Sequence, residues 1–202
     1  MMNQTEMDEG IISVTWIETY TGKRIDFENP DPASIDFADI SHALARISRF
    51  CGHTSCANIW SVALHSLVVE RYLAENDGEA RLRLLGLLHD AHEAYVGDRG
   101  SPQKGFLPKH VEWENALQRA IWEALEIAPP TAEEAHLVKY ADLISLATEA
   151  DSFMPSGGRG WNIGADPQPN LLWHLDGMAP NEAAILFTRT LGHLLDEVRR
   201  WR

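Results

Sequence analysis

The spacing of apolar residues changes near residue 36, and this change predicts two kinds of structure. Before it, a run of β-forming residues at 14–20, the Thr21-Gly22 pair and a short run after it predict a small hairpin within residues 11–27. Prolines at positions 30 and 32 then break the chain. After residue 36, apolar side chains recur at helical spacing. The pattern therefore predicts an all-α helical bundle with a small N-terminal β-hairpin.

Six helical stretches can be distinguished by where their apolar stripes lie. They cover approximately residues 36–47, 62–73, 82–95, 111–127, 131–153 and 181–201. The fifth begins with Thr131 and Glu134, whose spacing matches a capping box. A loop rich in Gly and Pro at about 154–170 predicts a lid or a binding loop, because long loops in compact domains are often functional. We expect residues 1–35, a tail and the hairpin, to pack on a single helical domain at 36–202.

Composition and charge argue against several classes of function for this bundle. The net charge of −13 argues against a protein that binds nucleic acid or an anionic membrane surface, although a metal ion can supply positive charge for a phosphorylated substrate. Cys51 and Cys56 are too few for a disulfide framework, so we expect a reducing, cytoplasmic location. The N-terminus lacks the features of a signal peptide, and no apolar stretch is long enough to span a membrane.

Candidate metal ligands interrupt three of the predicted helices. Leucines at positions 84, 85, 87 and 88 lead into His89-Asp90, His65 lies in the apolar stripe of the preceding helix, and Asp142 is flanked by core residues of the fifth. Polar side chains in such positions are costly unless something satisfies them, and imidazole and carboxylate are natural ligands of a divalent metal. On a continuous helix, Glu93 lies one turn after His89 and shares its face. The sequence therefore predicts a metal site with an acidic residue beside it.

These residues resemble the H…HD…D signature of the HD-domain metal-dependent phosphohydrolases. The stretch HDAHEAYVGDRGSPQK at 89–104 is most similar to the HDxxExxxGDxxxPxK stretch of the bacterial 5′-deoxynucleotidase-like (YfbR-like) HD proteins. The resemblance runs from about residue 40 to residue 151, and more loosely over the hairpin. It implies an HD-type helical fold and, by analogy with the family, a homo-oligomer that is expected to be a dimer.

The resemblance implies a role for each matching residue of the metal site. The four implied metal ligands are His65, His89, Asp90 and Asp142. Glu93 corresponds to the catalytic acidic residue, and Asp98 to the residue that faces the reacting phosphate or sugar. His92 lies where the family varies and receives no ligand role. Because only four ligands are visible, we expect one divalent ion per site, which can be Mn, Co, Fe, Ni or Zn.

The substrate-binding residues are likewise implied by the resemblance. Arg49 and Lys104 correspond to anion-binding residues, and Phe50 to an aromatic residue that flanks the sugar or base. His53 follows them closely and is a candidate for the lining of the same site. In the expected reaction the metal binds a phosphate oxygen and activates water, Glu93 orients or deprotonates that water, and the basic residues neutralise the developing charge.

Each of these residues also has a structural interpretation. His65 alone can be a satisfied core histidine, and Asp142 can pair with Lys139 or Arg46. Glu93 can be a plain surface carboxylate, and Arg49 and Lys104 can be solvated basic residues. A zinc site formed by Cys51, His53 and Cys56 lacks a fourth ligand. The loop at 156–160 is glycine-rich, but it does not match a phosphate-binding P-loop.

Three functions remain open at this point. The first is hydrolysis of the phosphate ester of a nucleotide, with a deoxynucleoside 5′-monophosphate as the expected substrate. The second is a deoxynucleoside triphosphate triphosphohydrolase of the dATP type that releases tripolyphosphate, since the same ligand set serves both reactions. The third is a non-catalytic module that binds a nucleotide; the presence of Glu93 and of the four candidate ligands argues against it.

Overall fold

A computed structural model of the chain describes residues 14–200, and within them the fold is helical, as the apolar pattern predicts. The eight α-helices of this part are α1 (Phe37–Leu44), α2 (Val62–Glu75), α3 (Ala80–Leu87), α4 (Glu93–Val96), α5 (Ser101–Lys104), α6 (Pro108–Ala124), α7 (Ala132–Phe153) and α8 (Pro180–Arg200). Short 3-10 helices span Pro32–Ser34, Arg49–Gly52 and Pro169–Leu172. The last of these lies next to the end of the glycine-rich loop.

The predicted hairpin is present and packs against the helices. Strands β1 (Trp16–Glu18) and β2 (Arg24–Asp26) are antiparallel, with Ile17 paired to Ile25. The turn between them contains Gly22 at a φ of 83°, a left-handed value that glycine adopts without a steric penalty. Ile25 is fully buried in the main core, so the hairpin contributes apolar area to the bundle. Residues 11–13 of the predicted hairpin segment lie outside the described residues.

A buried carboxylate in α1 connects the hairpin to the bundle. Asp39 is 2% exposed, and its two oxygens accept hydrogen bonds from the backbone N–H and the hydroxyl of Thr21, at 2.7 and 2.9 Å. A charged acceptor with two donors compensates for the cost of its burial. The turn of the hairpin is therefore attached to α1 by polar contacts as well as by the apolar contacts of Ile25.

Helix α2 lies at the centre of the bundle. Ten of its residues are buried, and it packs against α1, α3, α7 and α8. Gly86 of α3 permits a close approach, because a Cβ atom at this position would collide with the side chain of Leu73 in α2. The helices α2, α3 and α7 contact one another pairwise, so a side chain that points inward from one of them meets the other two.

The predicted third helix, residues 82–95, is broken in the structure. Helix α3 ends at Leu87, and the next helix begins only at Glu93. The carbonyl oxygen of Gly86 accepts from the imidazole Nδ1 of His89, at 2.8 Å, which competes with continuation of the backbone ladder. Tighter turns follow, in which Ala91 N–H bonds to Leu88 O and Glu93 N–H to Asp90 O. The expectation that residues 89 and 93 share one continuous helical face was therefore wrong.

The other five predicted helices begin and end close to their predicted limits, whereas the short helix α5 was not predicted. The capping box of α7 is confirmed, since Thr131 Oγ1 accepts from Glu134 N–H and Glu134 Oε2 accepts from Thr131 N–H, at 3.2 and 2.8 Å. The predicted last helix extends to residue 201, which lies outside the described residues. Within residues 14–200, no helix combines the length and apolar character needed to cross a membrane.

The contact between the hairpin and α1 generates a test of stability. Asp39→Ala should lower the free energy of unfolding by about 2–3 kcal/mol, because two hydrogen bonds to a buried charge are lost. Thr21→Ala should cost only about 1 kcal/mol, since the backbone N–H of residue 21 still donates to Asp39. Urea denaturation followed by circular dichroism measures both. Equal losses for the two variants would contradict this account.

Candidate metal centre

Four side chains from three packed segments converge on one point inside the bundle. His65 comes from α2, His89 and Asp90 from the turn after α3, and Asp142 from α7. The Nε2 atom of His65 lies 3.2 Å from Asp142 Oδ1 and 3.6 Å from Asp90 Oδ2. The Nε2 atom of His89 lies 3.1 Å from the same Asp90 oxygen. The structure thus brings together all four residues that the resemblance implies as ligands.

The hydrogen bonds of the two imidazole rings fix which nitrogen of each faces this point. His65 Nδ1 lies 2.7 Å from Glu149 Oε1, and His89 Nδ1 lies 2.8 Å from the carbonyl oxygen of Gly86. Because each Nδ1 has an acceptor as its partner, it carries a proton, and the Nε2 atom of each ring faces the carboxylates. The two Nε2 atoms are 3.3 Å apart, beside two carboxylate oxygens. Burial and Arg49 act to lower the pKa of His65, but Glu149 and Asp142 raise it to about 9, so a bound metal ion would take the place of a proton on Nε2. A divalent cation fits this set of ligands, because imidazole nitrogen and carboxylate oxygen are its natural donors.

The two aspartates are in the charged state that metal binding requires. Burial acts to raise their pKa values, but the adjacent His65 and His89 hold the pKa of Asp90 and that of Asp142 well below the usual range. Asp142 Oδ2 also pairs with Lys139 Nζ at 2.7 Å. The ion pair between Asp142 and Lys139 that the sequence suggested is therefore present. It uses Asp142 Oδ2, whereas Asp142 Oδ1 is the oxygen that lies close to His65 Nε2.

Glu149 is a residue of this site that the sequence analysis missed. It is fully buried in α7, and its oxygens lie 2.7 Å from His65 Nδ1 and 2.9 Å from Arg49 Nε. Ser145 Oγ donates to the same carboxylate at 3.1 Å. The signal was present in the sequence, because Asp142, Ser145 and Glu149 are spaced three and four residues apart and so share one helical face.

Two groups of side chains have mutual distances that suit a metal ion, and the first consists of His65, His89 and Asp142. Asp90, which also lies close to both histidines, belongs to the second group. One ligand atom each of Asp90, His92 and Glu93 lies within 4.8 Å of the others. Glu93 is 2% exposed, and its Oε2 atom has no hydrogen-bond partner among the described residues. Burial, and then the neighbouring carboxylates of Asp90 and Asp98, raise the pKa of Glu93 to about 10. Glu93 is thus not a plain surface carboxylate.

His92 and Lys104 meet at a buried carboxylate that sequence analysis did not single out. Glu114 Oε1, on α6, lies 2.9 Å from Lys104 Nζ and 3.6 Å from His92 Nε2. Burial opposes its ionisation, but His92 and Lys104 lower the pKa of Glu114 to about 2. Lys104 Nζ also lies 3.9 Å from Glu93 Oε1, so it is not a fully solvated lysine. For Asp98, burial is the main cause of a raised pKa, and Asp90 adds to it.

The other predicted substrate residues lie along a short, strained segment. Arg49 is mostly buried, and its guanidinium carbon lies 5.3 Å from the centre of the Phe50 ring. Phe50 has a φ of 53°, and the Trp161 ring of the glycine-rich loop lies 5.9 Å from its own. A non-glycine residue in this region is strained, which is often a feature of functional sites. His53 is exposed, and no potential metal-binding trio of residues 14–200 includes either cysteine.

A cleft of about 280 Å³ opens beside the four converging side chains. His89, Asp90 and Asp142 line it together with apolar residues that include Leu85, Trp122 and Val138. Arg49, Phe50, His53 and Lys104 are not among its lining residues. Solvent therefore reaches the candidate metal ligands through this cleft, and the predicted substrate residues lie outside its lining.

Comparison with known proteins gives similarity across most of the chain. An uncharacterized protein of Rhodobacter capsulatus is 37% identical over 143 residues, which are 67% of this chain and 71% of that protein. The uncharacterized protein YfdR of Escherichia coli is 29% identical, over 93% of this chain and 99% of its own. A 5′-deoxynucleotidase of Pasteurella multocida is 26% identical, over 87% of this chain and 88% of its own. No protein-family model matches the chain.

The convergence of the four side chains generates a test of metal binding. Isothermal titration with Mn²⁺ or Co²⁺ should show one tight site, and Asp142→Asn should weaken it at least about 100-fold because a charged ligand is lost. His193→Asn is the control, since this exposed histidine of α8 lies outside both groups that can bind a metal. Unchanged affinity in Asp142→Asn would contradict the assignment.

Proposed function

We propose that this chain, which belongs to the same protein family as the uncharacterized Rhodobacter capsulatus protein, is a metal-dependent phosphohydrolase of the HD type. The proposed substrate is a deoxynucleoside 5′-monophosphate, which is cleaved to a deoxynucleoside and phosphate. The observation that carries the proposal is the convergence of two imidazole Nε2 atoms and two carboxylates beside an open cleft. Similarity to the 5′-deoxynucleotidase of Pasteurella multocida supports the choice of substrate.

The proposed metal ion is held by His65, His89, Asp90 and Asp142. When bound, it supplies Lewis acidity toward a phosphate oxygen and lowers the pKa of a coordinated water. Mixed nitrogen and oxygen ligands suit Mn, Co, Fe, Ni or Zn. The Nδ1 atom of His65 donates to Glu149, and that of His89 donates to the carbonyl oxygen of Gly86, so both rings keep their orientation.

Glu93 is proposed to exchange a proton with the attacking water. Its Oε2 atom is buried and without a hydrogen-bond partner among the described residues, so it can accept a bond from water. Burial and the carboxylates of Asp90 and Asp98 raise the pKa of Glu93, which favours its protonated form. The positive charge of a bound metal ion would act in the opposite direction, towards the ionised form that can accept a proton from water. Lys104 Nζ, 3.9 Å from Glu93 Oε1, adds positive charge on the same side.

Arg49 is proposed to bind the phosphate of the substrate. Its pair with Glu149 uses only Nε, so the terminal nitrogens of the guanidinium group can serve an anion. Burial acts to lower the pKa of Arg49, but Glu149 and then the carboxylates of Asp98 and Asp90 raise it, which indicates that these acidic groups lie near the guanidinium. A permanent positive charge beside the candidate ligands favours a phosphate in a chain whose net charge is −13.

Phosphorus NMR of the reaction products tests the proposed function. The protein loaded with Mn²⁺ or Co²⁺ is incubated with separate deoxynucleoside mono- and triphosphates. We expect inorganic phosphate from monophosphates. Tripolyphosphate from triphosphates would instead identify a triphosphohydrolase, and no product from either class, with metal bound, would favour a binding module.

The same assay tests the role of Glu93. Glu93→Gln should lower kcat at least about 100-fold, because the amide cannot exchange a proton in place of the carboxylate. Its affinity for metal should remain close to that of the wild type. Glu112→Gln is the matched control, since this glutamate is exposed on α6. Full turnover in Glu93→Gln would show that another group exchanges the proton.

A further inference from the structure

One buried carboxylate contacts both halves of the candidate site. Glu149 is fully buried, and its Oε1 atom lies 2.7 Å from Nδ1 of the candidate metal ligand His65. Its Oε2 atom lies 2.9 Å from Nε of the candidate phosphate ligand Arg49. Ser145 Oγ lies 3.1 Å from Oε1 and 3.0 Å from His65 Nδ1. Glu149, His65 and Arg49 belong to three different segments of the chain, and Glu149 holds His65 and Arg49 at a fixed separation.

We propose that Glu149 is a positioning residue that couples the metal ligand His65 to the phosphate-binding Arg49. The proposal rests on the proposed function and deepens it. Accepting the Nδ1 proton keeps the His65 lone pair on Nε2 and makes that nitrogen a stronger ligand. Accepting from Arg49 Nε fixes the plane of the guanidinium group, and with it the direction of the nitrogens available to a phosphate.

The proposal depends on the number of acceptors that a carboxylate provides. Both oxygens of Glu149 accept, one from the imidazole Nδ1 of His65 and one from the guanidinium group of Arg49. A glutamine at this position has the same shape but only one acceptor, so its amide nitrogen must face a donor of either His65 or Arg49. Replacement by glutamine therefore removes the acceptor of one partner and gives the other a neutral acceptor in place of a charged one, so both halves of the site are weakened even where the fold is kept.

The pairing also explains why a charge is tolerated at this depth. A fully buried carboxylate is costly unless it is paired and its remaining lone pairs are bonded. Arg49 supplies the opposite charge, and His65 and Ser145 supply further donors. A purely structural ion pair satisfies the same requirement without an effect on ligand binding. The two interpretations differ in what they predict for metal and for phosphate, which can be measured separately.

The test uses Mn²⁺ alone and inorganic phosphate as ligands, with the full chain. Glu149→Gln should weaken Mn²⁺ binding by about 10–100-fold, as loss of a partner of a metal-bound histidine does. It should also weaken phosphate binding, measured at a saturating concentration of Mn²⁺. Arg49→Gln should weaken phosphate binding while leaving the affinity for Mn²⁺ within a few-fold of the wild type. Both measurements are by isothermal titration and need no turnover, so they remain decisive if the proposed substrate is wrong.

Several results would overturn the proposal. Wild-type affinity of Glu149→Gln for both ligands, with only a lower melting temperature, would show that Glu149 is purely structural. Weaker binding of only one of the two ligands, Mn²⁺ or phosphate, would show that Glu149 does not couple His65 to Arg49. If circular dichroism shows that Glu149→Gln does not fold, Glu149→Asp replaces it. This variant keeps both acceptors and the charge but is one methylene shorter, so it should weaken the binding of Mn²⁺ and of phosphate to a smaller degree. Wild-type affinity for either ligand would contradict the coupling.

Where turnover is measurable, KM and kcat separate the effect of Glu149 on substrate binding from its effect on the chemical step. At saturating Mn²⁺, Glu149→Gln should raise KM more than it lowers kcat, because the phosphate contact of Arg49 is lost while Glu93 is untouched. An unchanged KM with an unchanged kcat would again indicate a structural ion pair. Ser145→Ala keeps the Glu149 carboxylate and should have a smaller effect on both constants.

Discussion

The enclosure of two imidazoles and two carboxylates in one buried cluster is the constraint on which the rest of this structure depends. His65 and His89 point their Nε2 atoms at each other across 3.3 Å, beside the carboxylates of Asp90 and Asp142. Buried carboxylates are costly unless positive charge compensates them, and a bound metal ion would supply that charge. The packing of α2, α3 and α7 imposes this geometry, because the apolar contacts of the three helices fix where their inward side chains meet.

The site extends outward from this point through one chain of side-chain contacts. Glu149 is hydrogen-bonded to both His65 and Arg49, and Arg49 lies against the ring of Phe50, which is adjacent to the ring of Trp161 in the glycine-rich loop. The buried polar part of this chain is stable only when each member is satisfied. Because the contacts are continuous, the proposed metal binding, the proposed phosphate binding and the position of the loop depend on the same set of side chains.

Apolar periodicity and out-of-place His and Asp residues are local signals, and they were sufficient to predict the long helices and a metal site. The resemblance to the HD-domain proteins was needed to select the four converging residues. The sequence did not predict the break after Leu87, which arises from the bond between the His89 ring and the carbonyl oxygen of Gly86. It also missed Glu149 and Glu114. The helical spacing of Glu149 with Asp142 was visible in the sequence, but the partners of both glutamates come from other segments, which the sequence alone does not bring together. The roles of Arg49, Lys104 and Asp98 stay predictions.

The position of a bound metal tests the central claim most directly. A crystal of the protein grown with Mn²⁺ or Co²⁺ would reveal the ion by its anomalous scattering. The account predicts one peak among His65, His89, Asp90 and Asp142. A peak only among Asp90, His92 and Glu93, or none at either position, would contradict it.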